Sequence, residues 1–446
     1  MIPVAVVDGF RTPFCKAGSD FKDIRPEILG ALTIKEMMQR MDTWGIKTSV
    51  IDYVIGSNVC TPIHAPTLAR VAAVKAGLPE SIPAQMITQN CGSGISAVDY
   101  GSNLIRLGRY NCVLVVGIEL MSQIPLFYAD TVKKEFFRLF EARTKAAKLK
   151  VLFKLYPKLF KIWVKENQPQ VGLLLGLTDP ICDLIMGLTA ENLAKDPCFG
   201  ITRQDQDAFA ARSHQRASLA QKNGVFKEEM TSLYVPTKNK HALVSSDNGI
   251  RDENTIELLA KMMPYFDKRY GSVTVGNSSQ ITDGAACILL MNADVAKNYG
   301  LPMLGYVGEY ADIGFDPPRM GLAPVGAIAK LLNKTRHDLA SFSSVEINEA
   351  FAAQVIACLR TLGSDTLMKK WFGSYGFDKK IGEIDSDKLN PNGGAIALGH
   401  PIGVSGMRLI ITALKKLNRQ GGGKALVSAC IGGGQANALV LEGRLQ

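Results

Sequence analysis

The sequence predicts an α/β protein in which helices pack on both faces of a mostly parallel sheet. Short β-branched or apolar runs of strand length alternate with helical patterns from the N-terminus onward. The same order returns after about residue 300. Alternating strands and helices are typical of layered α/β folds, and the repeated order indicates two similar halves.

The elements of the first half follow from their periodicity. Continuous β-branched or apolar runs predict strands at 3–7, 53–56, 86–88 and 113–116. Apolar residues spaced i, i+3, i+4 and i+7 predict helices at 26–41, 68–76 and 95–107. In the second half the same criteria predict strands at 303–308, 345–347 and 426–428, and helices at 325–332 and 352–362. A buried strand followed by small residues occurs at both 113–117 and 425–429, which hints at duplication.

Length and composition exclude several classes of protein. The chain has 446 residues, 47% hydrophobic and 21% charged, which fits about three domain-sized units and excludes disordered, collagen-like and small disulfide-rich proteins. Its nine cysteines are scattered without paired spacing, which favours reduced thiols. The N-terminus has no basic targeting region, and no apolar run approaches the ~20 residues of a membrane span. We therefore expect a cytoplasmic protein without a targeting segment, in contact with a membrane at most peripherally.

Most of the positive charge lies in one segment. The formal net charge is +10, and residues 133–165 alone carry eleven basic and two acidic side chains. Phenylalanines and leucines alternate with these charges, and Pro157 predicts a break into two helices, or a helix and a turn. Such a basic amphipathic segment fits an anionic membrane surface, an acidic protein partner, or a surface helix packed on its own core. The rest of the chain is nearly neutral, so we expect no nucleic-acid partner.

Some motifs are too incomplete to support a cofactor or metal. Gly92-x-Gly94-x-x-Ala97 resembles a dinucleotide fingerprint, but no acidic residue about 20 positions later could bind a ribose. Cys60 and His64 are four residues apart without a second pair, so we expect no zinc site. The sequence predicts no metal and no resident cofactor.

Four segments carry residues suited to chemistry. Cys91 stands between a predicted strand and helix, where the helix dipole favours the thiolate, and the glycines beside it leave N–H groups free for an oxyanion. The ordinary alternative is a small buried cysteine. His400 lies in a glycine-rich loop, Cys430 precedes three glycines, and Asn348 follows a predicted strand. Together they could supply a nucleophile, a base, a second thiol and an amide.

The ordered motifs around these residues resemble the thiolase family along nearly the whole chain. The segments that carry the resemblance are Arg11-Thr12-Pro13-Phe14, Gln89-Asn90-Cys91-Gly92-Ser93-Gly94, Met186-Gly187-Leu188-Thr189-Ala190-Glu191-Asn192, Gly276-Asn277-Ser278-Ser279, Asp283-Gly284-Ala285, Asn348-Glu349-Ala350-Phe351, Gly399-His400-Pro401 and Cys430-Ile431-Gly432-Gly433-Gly434. The resemblance implies two similar mixed-sheet halves in a five-layered αβαβα arrangement. It places an N-terminal half at 1–292, with a loop domain inserted at about 123–245, and a C-terminal half at 293–446.

The resemblance also implies roles for individual residues. Cys91 becomes the acylated nucleophile, His400 the base, and Cys430 the acid/base that exchanges a proton with C2 of acetyl-CoA. Asn348 positions a water that forms one oxyanion hole with His400, and the N–H groups of Cys91 and Gly432 form the other. Two further residues match positions that bind the CoA substrate: Ser279 and Met186.

The function implied is 3-ketoacyl-CoA thiolase activity in fatty-acid β-oxidation, with coenzyme A as a substrate. The alternatives are an acetoacetyl-CoA thiolase and a non-catalytic thiolase-like lipid carrier. Further segments, including the basic insertion at 133–165, are most similar to the β subunit of trifunctional fatty-acid oxidation complexes. The implied partners are therefore acyl-CoA, a second copy in a homodimer or dimer of dimers, a hydratase/dehydrogenase α subunit, and the anionic membrane.

Overall fold

The computed structural model describes residues 2–161, 164–236 and 241–444. Contacts between Cα atoms separate the chain into two compact units. The larger unit comprises Met1–Gln123 and Asp179–Gln446, and the smaller unit is Ile124–Thr178. The compact smaller unit is thus shorter than the loop domain predicted at about 123–245. The predicted boundary between the halves at 292/293 stays a prediction.

The strands include long buried ones and several two-residue pairs. In chain order they are β1 Val4–Arg11, β2 Cys15–Lys16, β3 Tyr53–Ser57, β4 Ala84–Ile87, β5 Cys112–Leu120, β6 Leu126–Phe127, β7 Gln170–Val171, β8 Thr178–Asp179, β9 Leu184–Ile185, β10 Leu233–Pro236, β11 His241–Val244, β12 Thr282–Asn292, β13 Gly305–Gly314, β14 Ser344–Ile347, β15 Lys424–Ile431 and β16 Gln435–Gly443. Each strand predicted from periodicity overlaps one of these.

The helices fall mostly between the strands. In chain order they are α1 Pro26–Thr43, α2 Leu68–Ala76, α3 Ser93–Arg106, α4 Asp130–Glu141, α5 Lys145–Phe160, α6 Gly172–Gly176, α7 Met186–Lys195, α8 Arg203–Lys222, α9 Ile256–Ala260, α10 Ala293–Asn298, α11 Ala323–Thr335, α12 Ala352–Leu362, α13 Asp365–Phe372, α14 Ala395–Leu398 and α15 Ile402–Arg419. The five predicted helices correspond to α1, α2, α3, α11 and α12.

The main sheet of the larger unit is mixed. Its strand order is β14-β15-β16-β13-β1-β12-β5-β3-β4. Pairing is parallel between β14 and β15 and between β3 and its two neighbours, whereas the five pairs in between are antiparallel. The prediction of a mostly parallel sheet was therefore wrong. Strand–helix alternation describes chain order, and it does not report which strands the long connections bring together.

The two halves of the sheet share one topology. The first half runs β4-β3-β5-β12-β1 and the second runs β14-β15-β16-β13, so β5 and β15 hold equivalent places. Those are the two strands whose sequences hinted at duplication. The position equivalent to β4 is held by Leu389, which forms a parallel bridge with Val345 of β14. Asn90 after β4 and Asn390 after Leu389 both have positive φ, at 44° and 43°.

The helices complete five layers. Helices α1 and α2 cover one face of the first half, and α11 and α12 cover the outer face of the second. Between the two halves, α3 and α15 pack on each other and on strands of both, including β5 and β15. The two helices that begin just after Cys91 and His400 thus form the central layer.

The smaller unit contains two packed helices. Val132 of α4 and Leu155 of α5 are its most buried large apolar side chains, with Phe136, Leu139 and Leu159 beside them. The predicted break at Pro157 was wrong, because Pro157 lies in the last turn of α5. The chain breaks earlier, where the Thr144 hydroxyl accepts from the N–H of Ala147 and caps a new helix. Ile162 and Trp163, part of the same basic segment, lie outside the described residues.

Candidate active site

Cys91 lies on a tight turn between β4 and α3. The preceding residue, Asn90, has a φ of 44°, a conformation that asparagine tolerates better than most residues. The N–H of Gly92 donates to Gln89 O at 3.0 Å, and the N–H of Ser93 donates to Asn90 O at 3.0 Å. This turn presents the Cys91 side chain at the start of α3.

The sulfur of Cys91 faces two backbone N–H groups, its own and that of Gly432. Burial nevertheless raises the pKa of the Cys91 thiol to about 11, because these donors offset only part of the desolvation of the thiolate. The expectation that the helix dipole favours the thiolate stays a prediction, since the two N–H groups lower the pKa of this thiol while burial raises it more. Cys91 also precedes the N-cap residue Gly92, so it is outside the first turn of α3. Any reaction through the Cys91 sulfur therefore requires a base that removes the thiol proton.

His400 is buried between two polar side chains. The Ser405 hydroxyl donates to Pro401 O at 3.1 Å and lies 2.6 Å from Nδ1 of His400. Because that hydroxyl donates to Pro401, Nδ1 carries the ring proton and Nε2 is left as an acceptor. Nε2 lies 3.4 Å from the side-chain nitrogen of Asn348. Burial, together with the positive charge of Arg408, lowers the pKa of His400 to about 4, so the ring is neutral near pH 7.

Two glycines let α3 and α15 cross closely. A Cβ on Gly94 would lie 2.7 Å from the backbone nitrogen of Met407, and a Cβ on Gly406 would lie 2.6 Å from that of Ile95. Backbone atoms cannot move aside as side-chain ends can. The crossing therefore requires glycine, and it draws together the turns that carry Cys91 and His400. Among the described residues no direct hydrogen bond joins these two side chains.

Asn348, Cys430 and Gly432 come from neighbouring parallel strands. Asn348 follows β14, and its N–H donates to Ser428 O of β15 at 2.9 Å. Cys430 lies near the end of β15, fully buried, and both burial and the nearby Cys91 sulfur raise its pKa. Gly432 follows β15, and its carbonyl accepts from the Asn90 side chain at 2.9 Å. The Asn90 bond links the turn that carries Cys91 to the loop that follows Cys430.

An apolar wall surrounds Cys430. Its large members are Met186, Phe266, Met320 and Phe351. Met186 also lies against Gly432, since a Cβ there would be 3.3 Å from its sulfur. The other predicted binding residue, Ser279, is half-buried, and its N–H donates to Ala350 O at 2.9 Å. Both predicted binding residues thus lie beside the loops that carry the chemical groups.

The motifs did not indicate every residue that holds the site. The contact of the Ser405 hydroxyl with His400 was not predicted, although a serine in the first turn of the helix that follows His400 could have indicated it. Glu119 was missed as well. Its buried carboxylate accepts from the N–H groups of Val59, Cys60 and Gly403 at 2.8–3.0 Å. A lone glutamate in the apolar strand β5 was the signal, because a buried charge requires partners.

Comparison with known protein families agrees with this geometry. The thiolase N-terminal domain matches residues 4–294, and the thiolase C-terminal domain matches residues 301–443. The chain belongs to the thiolase family. As a member it is an acyltransferase, with the α/β thiolase fold that the motifs implied.

Individual relatives are similar over their full length. The chain is 36% identical to a probable acetyl-CoA acyltransferase of Staphylococcus aureus (strain COL) over 445 residues, 99% of each chain. It is 38% identical to an acetyl-CoA acetyltransferase of Pseudomonas aeruginosa over 442 residues, again 99% of each. The crystal structure of human mitochondrial 3-ketoacyl-CoA thiolase in complex with CoA matches with a TM-score of 0.80 at 32% identity, covering 99% of this chain and 98% of that one.

The relatives thus include both acyltransferases and acetyltransferases. Within the described residues, none of the helices combines the length and the apolar composition that a bilayer crossing requires.

Proposed function

We propose that this chain is a degradative 3-ketoacyl-CoA thiolase that cleaves 3-oxoacyl-CoA with CoA into acetyl-CoA and an acyl-CoA two carbons shorter. The observation that carries the proposal is the proximity of two thiols, the half-buried Cys91 and the buried Cys430, beside the N–H of Gly432. A neutral buried histidine held by Ser405 and Asn348 accompanies them. One thiol can accept an acyl group while the other handles a proton.

In the first half-reaction, His400 accepts the proton of Cys91 and the resulting thiolate attacks the C3 carbonyl. A neutral base is needed because the pKa of the Cys91 thiol is raised to about 11. The C2–C3 bond then breaks and its electron pair stays on C2. The Cys430 thiol gives that carbon a proton, which releases acetyl-CoA and leaves an acyl thioester on Cys91.

The second half-reaction regenerates the enzyme. The proton that His400 took from Cys91 first passes to the Cys430 thiolate, which restores the neutral ring and the Cys430 thiol. CoA then loses its thiol proton to His400, and the CoA thiolate attacks the acyl carbonyl on Cys91. The N–H groups of Cys91 and Gly432 stabilise the oxyanion, because both point to the sulfur that carries the acyl group. The tetrahedral intermediate collapses with release of the Cys91 thiolate, which regains a proton from His400, and the shortened acyl-CoA leaves.

The alternative within the family is an acetoacetyl-CoA thiolase, which uses the same groups on a four-carbon substrate. Identities of 36–38% to relatives of both names leave chain length undecided. Thiolysis measured on 3-oxoacyl-CoAs of four to sixteen carbons separates the two. The degradative proposal expects kcat/KM to be higher on substrates longer than acetoacetyl-CoA, and activity confined to acetoacetyl-CoA would contradict it.

Catalysis itself is tested by substitution of Cys91. We expect Cys91→Ser to lose at least 1,000-fold in kcat, because an alcohol is a far weaker nucleophile and leaving group. The matched control is Cys198→Ser, another half-buried cysteine outside the site. Normal thiolysis by Cys91→Ser would contradict the proposal and favour a non-catalytic lipid carrier.

The smaller unit supports a second proposal, contact with an anionic membrane surface. Large apolar side chains of α4 and α5 are exposed, including Phe140 at 84% and Phe153 at 72%. Exposed lysines without an ion pair in the described chain flank them: Lys145, Lys148, Lys150, Lys154 and Lys161. Aromatic rings beside uncompensated cations suit the boundary between headgroups and acyl chains. A hydratase/dehydrogenase α subunit is the competing partner.

Vesicle sedimentation distinguishes these partners. We expect binding to vesicles that contain phosphatidylserine, weaker binding at high salt, and little binding to pure phosphatidylcholine. The double variant Lys148→Glu/Lys154→Glu reverses two exposed charges and should abolish binding. The control Lys330→Glu/Lys334→Glu reverses two exposed charges of α11 and should leave vesicle binding unchanged. Equal sedimentation with both vesicles, or with neither, would contradict membrane contact.

The homodimer or dimer of dimers is likewise a proposal, and light scattering of the purified protein tests it. A monomer would contradict it.

A further inference from the structure

A buried ion pair joins the two elements that hold His400. Nη1 of Arg408 lies 3.0 Å from Oε2 of Glu346, and both side chains are at most 1% exposed. Replacing such a pair with apolar side chains is often neutral or stabilising, so stability alone does not explain two charges in this core. The pair lies outside the set of residues given a chemical role above.

The position of each partner connects the pair to the base. Glu346 lies on β14 two residues before Asn348, whose N–H continues the pairing with β15 just past the strand end, so alternation places the two side chains on one side. Arg408 lies on α15 three residues after Ser405, on the same helix face. Ser405 and Asn348 contact opposite nitrogens of the His400 ring. The ion pair therefore links the supports of both nitrogens.

Among the charged groups around the pair, Arg408 is the cation that acts on His400. Its positive charge lowers the pKa of His400, in addition to the effect of burial. Glu346 faces Glu229, Glu349 and Lys416, and burial raises its pKa to about 7. Glu229 is itself paired with Arg11. On the other side, the carboxylate of Glu119 accepts from the N–H of Gly403, three residues after His400.

We infer that Arg408 and Glu346 are positioning residues for the base: their ion pair joins α15 to β14 and so holds Ser405 and Asn348 against the His400 ring. The guanidinium adds to the effect of burial, which is the larger cause of the lowered pKa of His400. The inference rests on the proposed role of His400. It adds an electrostatic function that a purely structural ion pair lacks. It also explains why the helix carries arginine in the otherwise apolar segment Met407–Ile411.

The pKa of His400, measured by NMR on protein with 13Cε1-labelled histidine, tests the inference without any use of activity. The chain has five histidines, and the spectrum of His400→Gln assigns the resonance. We expect Arg408→Gln to raise the pKa of His400 by about one unit, because a nearby cation is removed. Arg408→Lys keeps a cation at this position and should leave the pKa of His400 low. The matched control is Lys415→Met, which removes a different ion pair of α15, that with Asp8.

A second readout is the pH profile of thiolysis. The acid limb of kcat/KM should move to higher pH in Arg408→Gln and stay in place in Arg408→Lys. Near pH 8 both should lose about 10-fold in kcat with little change in KM, since His400 is less well held. If Arg408→Gln does not fold, the double variant Arg408→Met/Glu346→Gln replaces the pair without leaving a buried unpaired charge.

Equal pKa values of His400 in the wild type and in every folded variant that lacks the cation would overturn the inference. If the proposed role of His400 as the base were wrong, the variant His400→Ala would instead show normal thiolysis. The two outcomes are therefore distinguishable.

Discussion

At the scale of single residues, the chemistry depends on which nitrogen of His400 carries the proton. The hydroxyl of Ser405 accepts from Nδ1 and donates to Pro401 O, which leaves Nε2 as the basic nitrogen. Burial and Arg408 keep the ring neutral. A general base of this kind needs a fixed tautomer as much as a suitable pKa.

We expect Ser405→Ala to reduce kcat for thiolysis by roughly 10-fold to 100-fold, with little change in KM, because the tautomer is no longer fixed. The matched control is Ser102→Ala, a buried helical serine whose hydroxyl bonds a carbonyl and no histidine. Steady-state kinetics measures both. Equal rates for the two variants would show that Ser405 does not support the base.

The pH dependence follows from the lowered pKa of His400. A ring with a pKa of about 4 stays neutral well below the ordinary histidine value of 6.5. We therefore expect kcat/KM to hold its value as pH falls through 6.5 and to decline only as pH approaches the folded pKa. Stopped-flow thiolysis between pH 5 and 8 measures this, and an acid limb centred near 6.5 would contradict it.

Residues with distinctive chemistry were predictable from the sequence. Cys91, His400, Cys430 and Asn348 stand in glycine-rich or strand-end motifs, and the structure places each on a turn or at a strand end. The pKa of Cys91 was not predictable, because desolvation depends on side chains distant in sequence. The contact of Ser405 with His400 was missed for a related reason, since it depends on the rotation of α15 about its axis.

At the scale of elements, the crossing of α3 and α15 positions Cys91, the proposed nucleophile, relative to His400, the proposed base. We expect Gly94→Ala to lower the free energy of unfolding by about 1–3 kcal/mol and to reduce kcat strongly, because its Cβ meets the backbone of Met407 at 2.7 Å. The control Gly101→Ala lies on the same helix but meets side-chain ends, Leu290 Cδ1 at 3.0 Å and Ile55 Cδ1 at 3.1 Å.

Thermal unfolding and thiolysis of both glycine variants test the crossing. The prediction requires Gly94→Ala to lose more activity than Gly101→Ala. If both variants kept full activity, close approach of the two helices would not be needed for catalysis.

Element positions were more predictable than strand pairing. The strand predicted at 345–347 lies within Ser344–Ile347, and the helix predicted at 352–362 coincides with α12. The direction of pairing was not predictable, because β1 pairs with β12 and β13, both nearly 300 residues away. The helix break near Pro157 was misplaced, because α5 continues through Pro157 and ends within one turn, at Phe160.

At the scale of the whole molecule, Arg11 ties distant parts of the larger unit together. Its guanidinium donates to Glu229 at 2.8 Å and to Asp247 at 2.7 Å, and all three side chains are buried. The rings of Phe14 and Phe226 lie 4.9 and 5.3 Å from it. These contacts fasten two segments from the middle of the chain to the end of β1.

We expect Arg11→Met to lower the free energy of unfolding by about 3–5 kcal/mol, because it leaves two buried carboxylates without their cation. The control Arg419→Met removes the partly exposed pair with Glu228, the neighbour of Glu229, and should cost about 1 kcal/mol or less. Urea unfolding followed by circular dichroism measures both. Equal losses would show that the buried network adds nothing beyond a surface pair.

The central claim is that Cys91 carries the acyl group between two CoA thioesters. Mass spectrometry of protein incubated with 3-oxooctanoyl-CoA, without free CoA, tests it most directly. We expect a hexanoyl adduct on the peptide that contains Cys91, its loss when CoA is added, and no such adduct in Cys91→Ser. An unmodified Cys91 peptide, or a hexanoyl group on any other residue, would show that Cys91 is not the acyl carrier.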